Sequence, residues 1–331
     1  MLLRTRKTLI IIASAVIVTA IILLSVFASV AKADGFVFGT NYSIRLRWAP
    51  SAVKIADAKI HEIDEAFSTS IATSDIARIN NSDAYEPITV AWDTIMLIKL
   101  CFDFYKQYPE FNIAIRPLVE LWHFDSLNYL ADTPYVPSDT EIAEALTYAC
   151  PDMFILDLGA CVVTKKDKRA KLDLGGAVNG YEVGKIKDIT PKAARGIADI
   201  GGNIGVFGTA KIGIKDPRGS ELCATFTAKD TVVATSGDYE RYYLINGNRY
   251  AHIIGSDGKP ANLSNGGIIS TTVVCADGTM SDILSTYIFI AGYDAGASVA
   301  KQYGASFIIF TENSYKTFGE VQFEAIKKFK A

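Results

Sequence analysis

The stretch LDLGGAVNGYEV, Leu172 to Val183, sets Gly175, Gly176 and Gly180 among apolar residues, with Asp173 just ahead of the first pair. It is not a P-loop, because Gly176 to Gly180 lacks the spacing, the lysine and the hydroxyl of Gly-x-x-x-x-Gly-Lys-Ser/Thr, and it is not a dinucleotide fingerprint. LDL reads as the end of a short strand and AVNGYEVGKIKDI as a helix. Glycines at a strand-to-helix turn let backbone come close to a ligand, and a helix start favours anionic groups. A tight turn that binds nothing is the competing reading.

Working outward, helices and strands alternate without the strict βαβ order of a parallel sheet. FVFGTNYSIRLRW reads as the entry to a strand pair. Residues 51–68 and the run DTIMLIKLCFDFYKQY read as helices. SDTEIAEALTYA carries a capping box, with Ser138 as N-cap and Glu141 three residues on. RGIADIGGNIGVFG reads as strand, Gly-Gly turn, strand; the chain after Thr231 reads as a strand, then a hairpin around NGN. GIISTTVVCADGTMSDILSTYIFIAG reads as a strand leading into a helix, and ASFIIFTENSYKTF as a closing hairpin. The fold class is α+β, with mixed or antiparallel sheets and packed helices.

The 331 residues can bury a sizeable core, and a net charge of -3 without a long basic run argues against a nucleic-acid binder. The N-terminus stands apart. Arg4, Arg6 and Lys7 precede an uncharged run from Thr8 to Ala31. Such a run is long enough for a bilayer span of about 20 residues, and its basic flank places the rest of the chain outside the cytoplasm. AKA, Ala31 to Ala33, also fits a signal-peptidase site. Residues 1–33 are thus a retained anchor or a signal peptide cut after Ala33, and the length of the run favours the anchor.

Cys101, Cys150, Cys161, Cys223 and Cys275 show no C-x-x-C spacing and read mostly as buried thiols; a Cys150–Cys161 disulfide stays open. Only His61, His123 and His252 exist, which excludes an H-E-x-x-H zinc site. His61 reads as a solvated helix residue, His123 lies in an aromatic turn, and His252 ends an apolar strand. In SDILST, Asp282 and Thr286 are four apart and share a helical face, while Ser285 projects elsewhere. A carboxylate and a hydroxyl there suit magnesium rather than zinc. The alternative is that Ser281 or Asp282 caps the helix.

Several motifs then fall in one order: GTNYSI, SDIARIN, RPLVELWHF, LDLGGAVNGY, DIGGNIGVFG, VATSGDYERYYLINGNRYAHII and SDILSTYIFIAG. Over nearly all of residues 36–331 the chain resembles the FAD:protein FMN transferases, the ApbE family. The resemblance implies an ApbE-like (T-fold-like) catalytic unit over 34–331. It implies magnesium held by the Gly176 carbonyl, Asp282 and Thr286. It implies FAD as substrate, contacted by Phe38, Ser70, Phe111, Asn112, Ile113, Asp173, Asn179, His252 and Ile253, with His252 and Asp282 as the catalytic pair. The reaction would split FAD, attach FMN to a Ser or Thr of an extracytoplasmic flavoprotein (a membrane redox subunit or a secreted protein), and release AMP.

The chain departs from the family's usual residues at several of these positions. Asn179 stands for a lysine, Phe38 for a methionine, Ser70 for a tyrosine, Asn112 for an aspartate, Arg116 for a glycine, and Gly255-Ser256 for Asp-Pro. The metal residues are kept while flavin-contacting ones differ. Two other functions therefore compete: an FAD pyrophosphatase, and a non-catalytic flavin-binding paralogue.

Overall fold

Tyr42, Ile44 and Leu46 are buried while Arg45 and Arg47 point away from them, so TNYSIRLR is a strand with one face in the core. It pairs with the preceding strand through a two-residue turn in which Phe38 and Gly39 both have positive φ, 49° and 73°. That is the turn geometry that matches strand twist. Phe38 holds this unusual conformation with its N–H donated to Asp64 Oδ1 at 3.2 Å.

The computed structural model describes residues 30–125 and 135–326. Its main sheet contains β1 (Val30–Val37), β2 (Thr40–Arg47), β3 (Arg195–Ile200), β4 (Asn203–Phe207), β5 (Val232–Gly237), β6 (Ile268–Cys275), β7 (Ser306–Thr311) and β8 (Tyr315–Phe318). The strands neighbour one another in space in the same order as in sequence, and every pairing is antiparallel. The helices lie in the connections. Between β2 and β3 come α1 (Pro50–Phe67), α2 (Asp75–Asn81), α3 (Trp92–Gln107), α4 (Arg116–Leu121), α5 (Asp139–Leu146) and α6 (Val178–Ile189). Between β6 and β7 come α7 (Gly278–Ala291) and α8 (Tyr293–Gln302).

One face of the sheet packs on α1 and α6 through Ile44, Leu46, Ile60, Val183 and Ile200, and farther along on α7 through Val273, Ile283 and Phe307. The other face is covered by a small sheet of Thr209–Lys215, Leu222–Lys229 and Glu324–Ala325. Its Ile212 and Phe226 pack with Val233, Val274 and Ile308. That cover reaches Ile197, and the outward residues Lys32, Asp34, Phe36 and Arg47 of β1 and β2 are exposed.

The helices expected at 51–68 and 93–108 run over Pro50–Phe67 and Trp92–Gln107, and the capping box of Ser138 and Glu141, the Gly-Gly turn and the hairpin around Asn246-Gly247 are present. Two readings are corrected, and one left open is settled. LDL is not a strand: Leu172 is gripped instead by the Asn80 side chain, which donates to its carbonyl at 2.9 Å and accepts from its N–H at 2.7 Å. An amide side chain mimics a strand neighbour there, which no periodicity reveals. His61 is exposed on α1 but not merely solvated, since its Nε2 lies 3.2 Å from the Tyr42 hydroxyl. Cys150 and Cys161 are free thiols.

The uncharged run from Thr8 lies outside the described residues except for Val30 and Ala31, which open β1. Among the described residues no helix is long and apolar enough to cross a membrane.

Candidate functional site

The site is built where α6 and α7 cross, and glycine makes the crossing possible. A methyl group on Gly180 would stand 2.2 Å from the Gly278 carbonyl oxygen and 2.5 Å from the Asp282 Cβ. One on Gly278 would stand 2.4 Å from the Gly180 carbonyl oxygen. Only hydrogen fits on either side. Gly180→Ala must therefore part the helices; we expect it to destabilise the fold by about 2–3 kcal/mol, the usual cost of overpacking. Urea unfolding of the variant checks this, and an unchanged midpoint would mean that the crossing can give.

The crossing seats Asp282. Ala177 offers α6 no side-chain cap, and the Gly180 N–H in the first turn of α6 donates to Asp282 Oδ2 at 2.9 Å. Asp282 thus caps α6 from the neighbouring helix. It does not cap its own: Asp277 does, accepting from the Met280 N–H at 3.0 Å. This removes the alternative that SDILST is only a helix start. Asn203 Nδ2, just past the Gly201-Gly202 turn, reaches Asp282 Oδ1 at 3.4 Å. Asp282 is 5% exposed, and burial pushes its carboxyl up to about 6 against the pull of these two donors.

Thr286 lies one turn further along α7. Its hydroxyl is 3.2 Å from where a Gly176 Cβ would stand, so the glycine loop passes directly over it. The Ser236 hydroxyl on β5 meets Thr286 Oγ1 at 3.2 Å and Ser285 Oγ at 2.8 Å. Ser285 is therefore not on an unrelated face: it is fully buried and joined to the same hydroxyl network. Gly176, Asp282 and Thr286 are brought together as the sequence suggested. Ser236 and Asn203 were missed as site residues, although both lie inside quoted motifs. The set offers only oxygen donors. Among the described residues no group of three or more His, Cys, Asp or Glu is placed to hold a metal.

On the other side of the loop, Asp173 is fixed by its backbone and its side chain. Its N–H donates to the Ile113 carbonyl at 2.7 Å, and its Oδ1 accepts from Gly175 N–H at 2.9 Å. Arg116 Nη1 donates to Asp173 Oδ2 at 3.2 Å and Nε to Glu120 at 3.0 Å. The departure at Arg116 thus supplies a guanidinium to Asp173. Asn112 spends its amide locally, accepting from Ala114 N–H at 2.8 Å and donating to the Ala149 carbonyl at 2.8 Å. Phe111 and Ile113 are buried in the core, Phe111 edge-on to Phe104. Ser70 is exposed in the turn after α1. Asn179 Nδ2 points to the Gly201 turn, 3.0 Å from where a Cβ there would stand, and its Oδ1 is buried with no hydrogen-bond partner.

His252 follows the Asn248–Ala251 strand and is half-buried. Its Nδ1 lies 3.2 Å from the Arg241 carbonyl oxygen. A carbonyl only accepts, so Nδ1 carries the proton and the neutral ring leaves Nε2 with a lone pair. Burial, aided by Arg241, pushes the imidazole down to about 4, while the nearby Asp173 carboxylate pulls the other way. Ile253 accepts from Ala261 N–H at 2.8 Å through its carbonyl and packs on the core.

Similarity to known proteins follows the same elements. The ApbE family model matches residues 38–309. An FAD:protein FMN transferase of Klebsiella pneumoniae (strain 342) is 28% identical over 249 residues, covering 73% of this chain and 76% of that protein. An FAD:protein FMN transferase of Vibrio cholerae is 26% identical over 316 residues, covering 88% of this chain and 91% of that one. The crystal structure of the ApbE protein from Thermotoga maritima superposes with a TM-score of 0.78 at 29% identity, covering 90% of this chain and 97% of that one. The flavin transferase ApbE from Vibrio cholerae shares the fold, with a TM-score of 0.73 at 23% identity over 88% of this chain and 96% of that one. With the family model running from the first hairpin through β6 and α7 into β7, the chain belongs to the ApbE family.

Proposed function

We propose that this chain is a magnesium-dependent FAD:protein FMN transferase that acts outside the cytoplasm. The observation that carries the reading is the meeting of Asp282, Thr286 and the Gly176 loop at one helix crossing, beside Asp173. A carboxylate, a hydroxyl and a loop that can offer a carbonyl form an all-oxygen set that fits a small hard cation. Magnesium held by these residues would offset charge on the FAD phosphates during phosphoryl transfer.

The chain's own residues do the rest. The glycine loop, lacking side chains at Gly175 and Gly176, admits the pyrophosphate against backbone. Asp173, braced by Arg116, binds the flavin nucleotide. The acceptor Ser or Thr oxygen attacks the phosphorus of the FMN half, the bond to the bridging oxygen breaks, AMP leaves with that oxygen, and the hydroxyl proton passes to a base or to water. His252 presents a neutral ring whose free Nε2 can accept a hydrogen bond from the nucleotide or take the acceptor's proton.

Incubation with FAD, magnesium and a domain bearing the acceptor Ser or Thr tests the reading. Protein-bound yellow fluorescence is expected. Release of free FMN would make the chain a pyrophosphatase, and neither product would make it a binder. For the pocket, Asn179→Lys should tighten FAD about tenfold by adding a charge-assisted contact of ~1.5 kcal/mol. Fluorescence titration reads this, and equal or weaker binding would mean that the ligand avoids Asn179.

For location, we propose a retained anchor. Cleavage after Ala33 would remove the β1 residues that pair with Arg47, Leu46, Arg45 and Ile44 of β2. The acceptor is then a flavoprotein on the same face of the membrane.

A further inference from the structure

Register sets the outward residues of β1, β2 and β3 in rows. The row nearest the start of β1 is Val30, Arg47 and Arg195; the next is Lys32, Arg45 and Ile197; the third is Asp34, Ser43 and Asp199. Cations therefore gather at the end where the chain enters the sheet, and carboxylates stand farther along. Arg45 is paired with Asp34 at 2.6 Å, and Arg195 donates to the Lys192 and Ala194 carbonyls. Lys32 and Arg47 are exposed. A groove of about 420 Å³ runs between Val30, Arg45, Arg47 and Arg195.

Trp48 stands beside them. It is 47% exposed, and its φ of 62° is one that an aromatic residue rarely adopts. The backbone thus keeps an indole outside the core, next to Arg47, at the same end of the sheet. The uncharged run from Thr8 passes into Val30 with no charged residue between. A surface that starts where a bilayer-spanning run stops lies at headgroup depth, where Trp is enriched at either interface and exposed cations attract anionic lipid within a Debye length.

We infer that this end of the sheet, with Lys32, Arg47, Arg195 and Trp48 as its contacts, docks on the anionic phospholipid headgroups of the membrane that holds the anchor. The inference rests on the retained anchor proposed above. It also orients the enzyme. β1 is eight residues long, about 25 Å at ~3.3 Å per residue, and its far end is the Phe38–Gly39 turn, after which Thr40 meets the Gly201 turn that Asn179 faces. Bilayer contact and FMN transfer are at opposite ends of the same strands.

The full chain reconstituted in nanodiscs of phosphatidylcholine or phosphatidylglycerol tests this. The Trp48 emission is the difference between wild type and Trp48→Phe. Its quenching by aqueous iodide should fall about twofold or more on changing to the anionic lipid, and Arg47→Glu with Arg195→Glu should abolish that protection. FMN transfer to a soluble acceptor should be unchanged in that double variant; a fall would mean that the substitutions act through the site, and overturns the assignment. Equal iodide access in both lipids overturns the docking face. Protection that follows protein concentration rather than lipid charge assigns the face to a second copy and overturns it too. A chain that fails to float with vesicles overturns the anchor beneath it, whereas a floating chain with freely quenched Trp48 overturns the docking face alone.

Discussion

Asp282→Asn will lower FMN transfer by about a thousandfold or more while the fold persists, roughly the 4 kcal/mol that a charged metal ligand supplies to a phosphoryl-transfer step. The asparagine carbonyl still accepts from Gly180 N–H, so α6 keeps the cap that Asp282 lends it. What is lost is the only charge in the set of Gly176, Asp282 and Thr286. Thr286→Ala should cost less, because water can replace a neutral ligand. Transfer rate against magnesium concentration separates the two, with circular dichroism as the check on folding. Near-normal transfer by Asp282→Asn at low magnesium would reduce Asp282 to a structural cap. Ser285→Ala cannot serve as the inert comparison, since Ser285 is buried and bonded to Ser236.

Glu182→Met will make the protein more stable, and increasingly so as pH rises. Glu182 is fully buried on α6 with both carboxylate oxygens lacking a hydrogen-bond partner. Burial first, then Asp64 and Asp282, push its carboxyl from 4.5 up to about 9. The folded state thus holds the proton while the unfolded chain releases it above ~4.5. Stability falls as pH rises from ~4.5 toward ~9, because the unfolded state gains from ionisation what the folded state cannot. Between pH 5 and pH 8 the wild type should lose about 4 kcal/mol relative to the methionine variant, at ~1.36 kcal/mol per pH unit. Methionine nearly matches the volume and is a good helix former. Urea unfolding at the two pH values measures the gap; a gap that does not change with pH would mean that Glu182 is ionised in the fold.

Much of this was legible in the sequence because the informative residues act through local rules. The alternation of TNYSIRLR, the Ser138–Glu141 box and the Asn246-Gly247 turn each specify their element without help from distant residues. The spacing of Asp282 and Thr286 likewise put both on one face of α7. What escaped depends on contacts across the chain. Asn80 replaces a strand neighbour for Leu172 at a separation of 92 residues. Asn203 and Ser236 join the site only because β4 packs on α6 and β5 on α7, where the two helices cross. In the three-stranded cover around Phe226, Ile212 and Ile214 do alternate with exposed Lys211 and Lys215, but the partner strand Leu222–Lys229 buries Cys223 to Phe226 in succession and shows no period. The burial of Glu182 is likewise invisible on a helix whose apolar face is weakly marked.

The in-order arrangement of the main sheet also has a consequence for biosynthesis. The β1–β2 hairpin is made well before its next neighbour in the sheet: its second strand pairs with β3, about 150 residues later, through Arg47 and Arg195. At ~5–20 residues per second the ribosome needs roughly 10–30 seconds to supply that partner. For that interval the inner edge of β2 is an open template for any other nascent strand. Arg45 and Arg47 on that strand discourage such pairing by charge, so Arg47, proposed above to meet the headgroups, would also guard the unfinished chain.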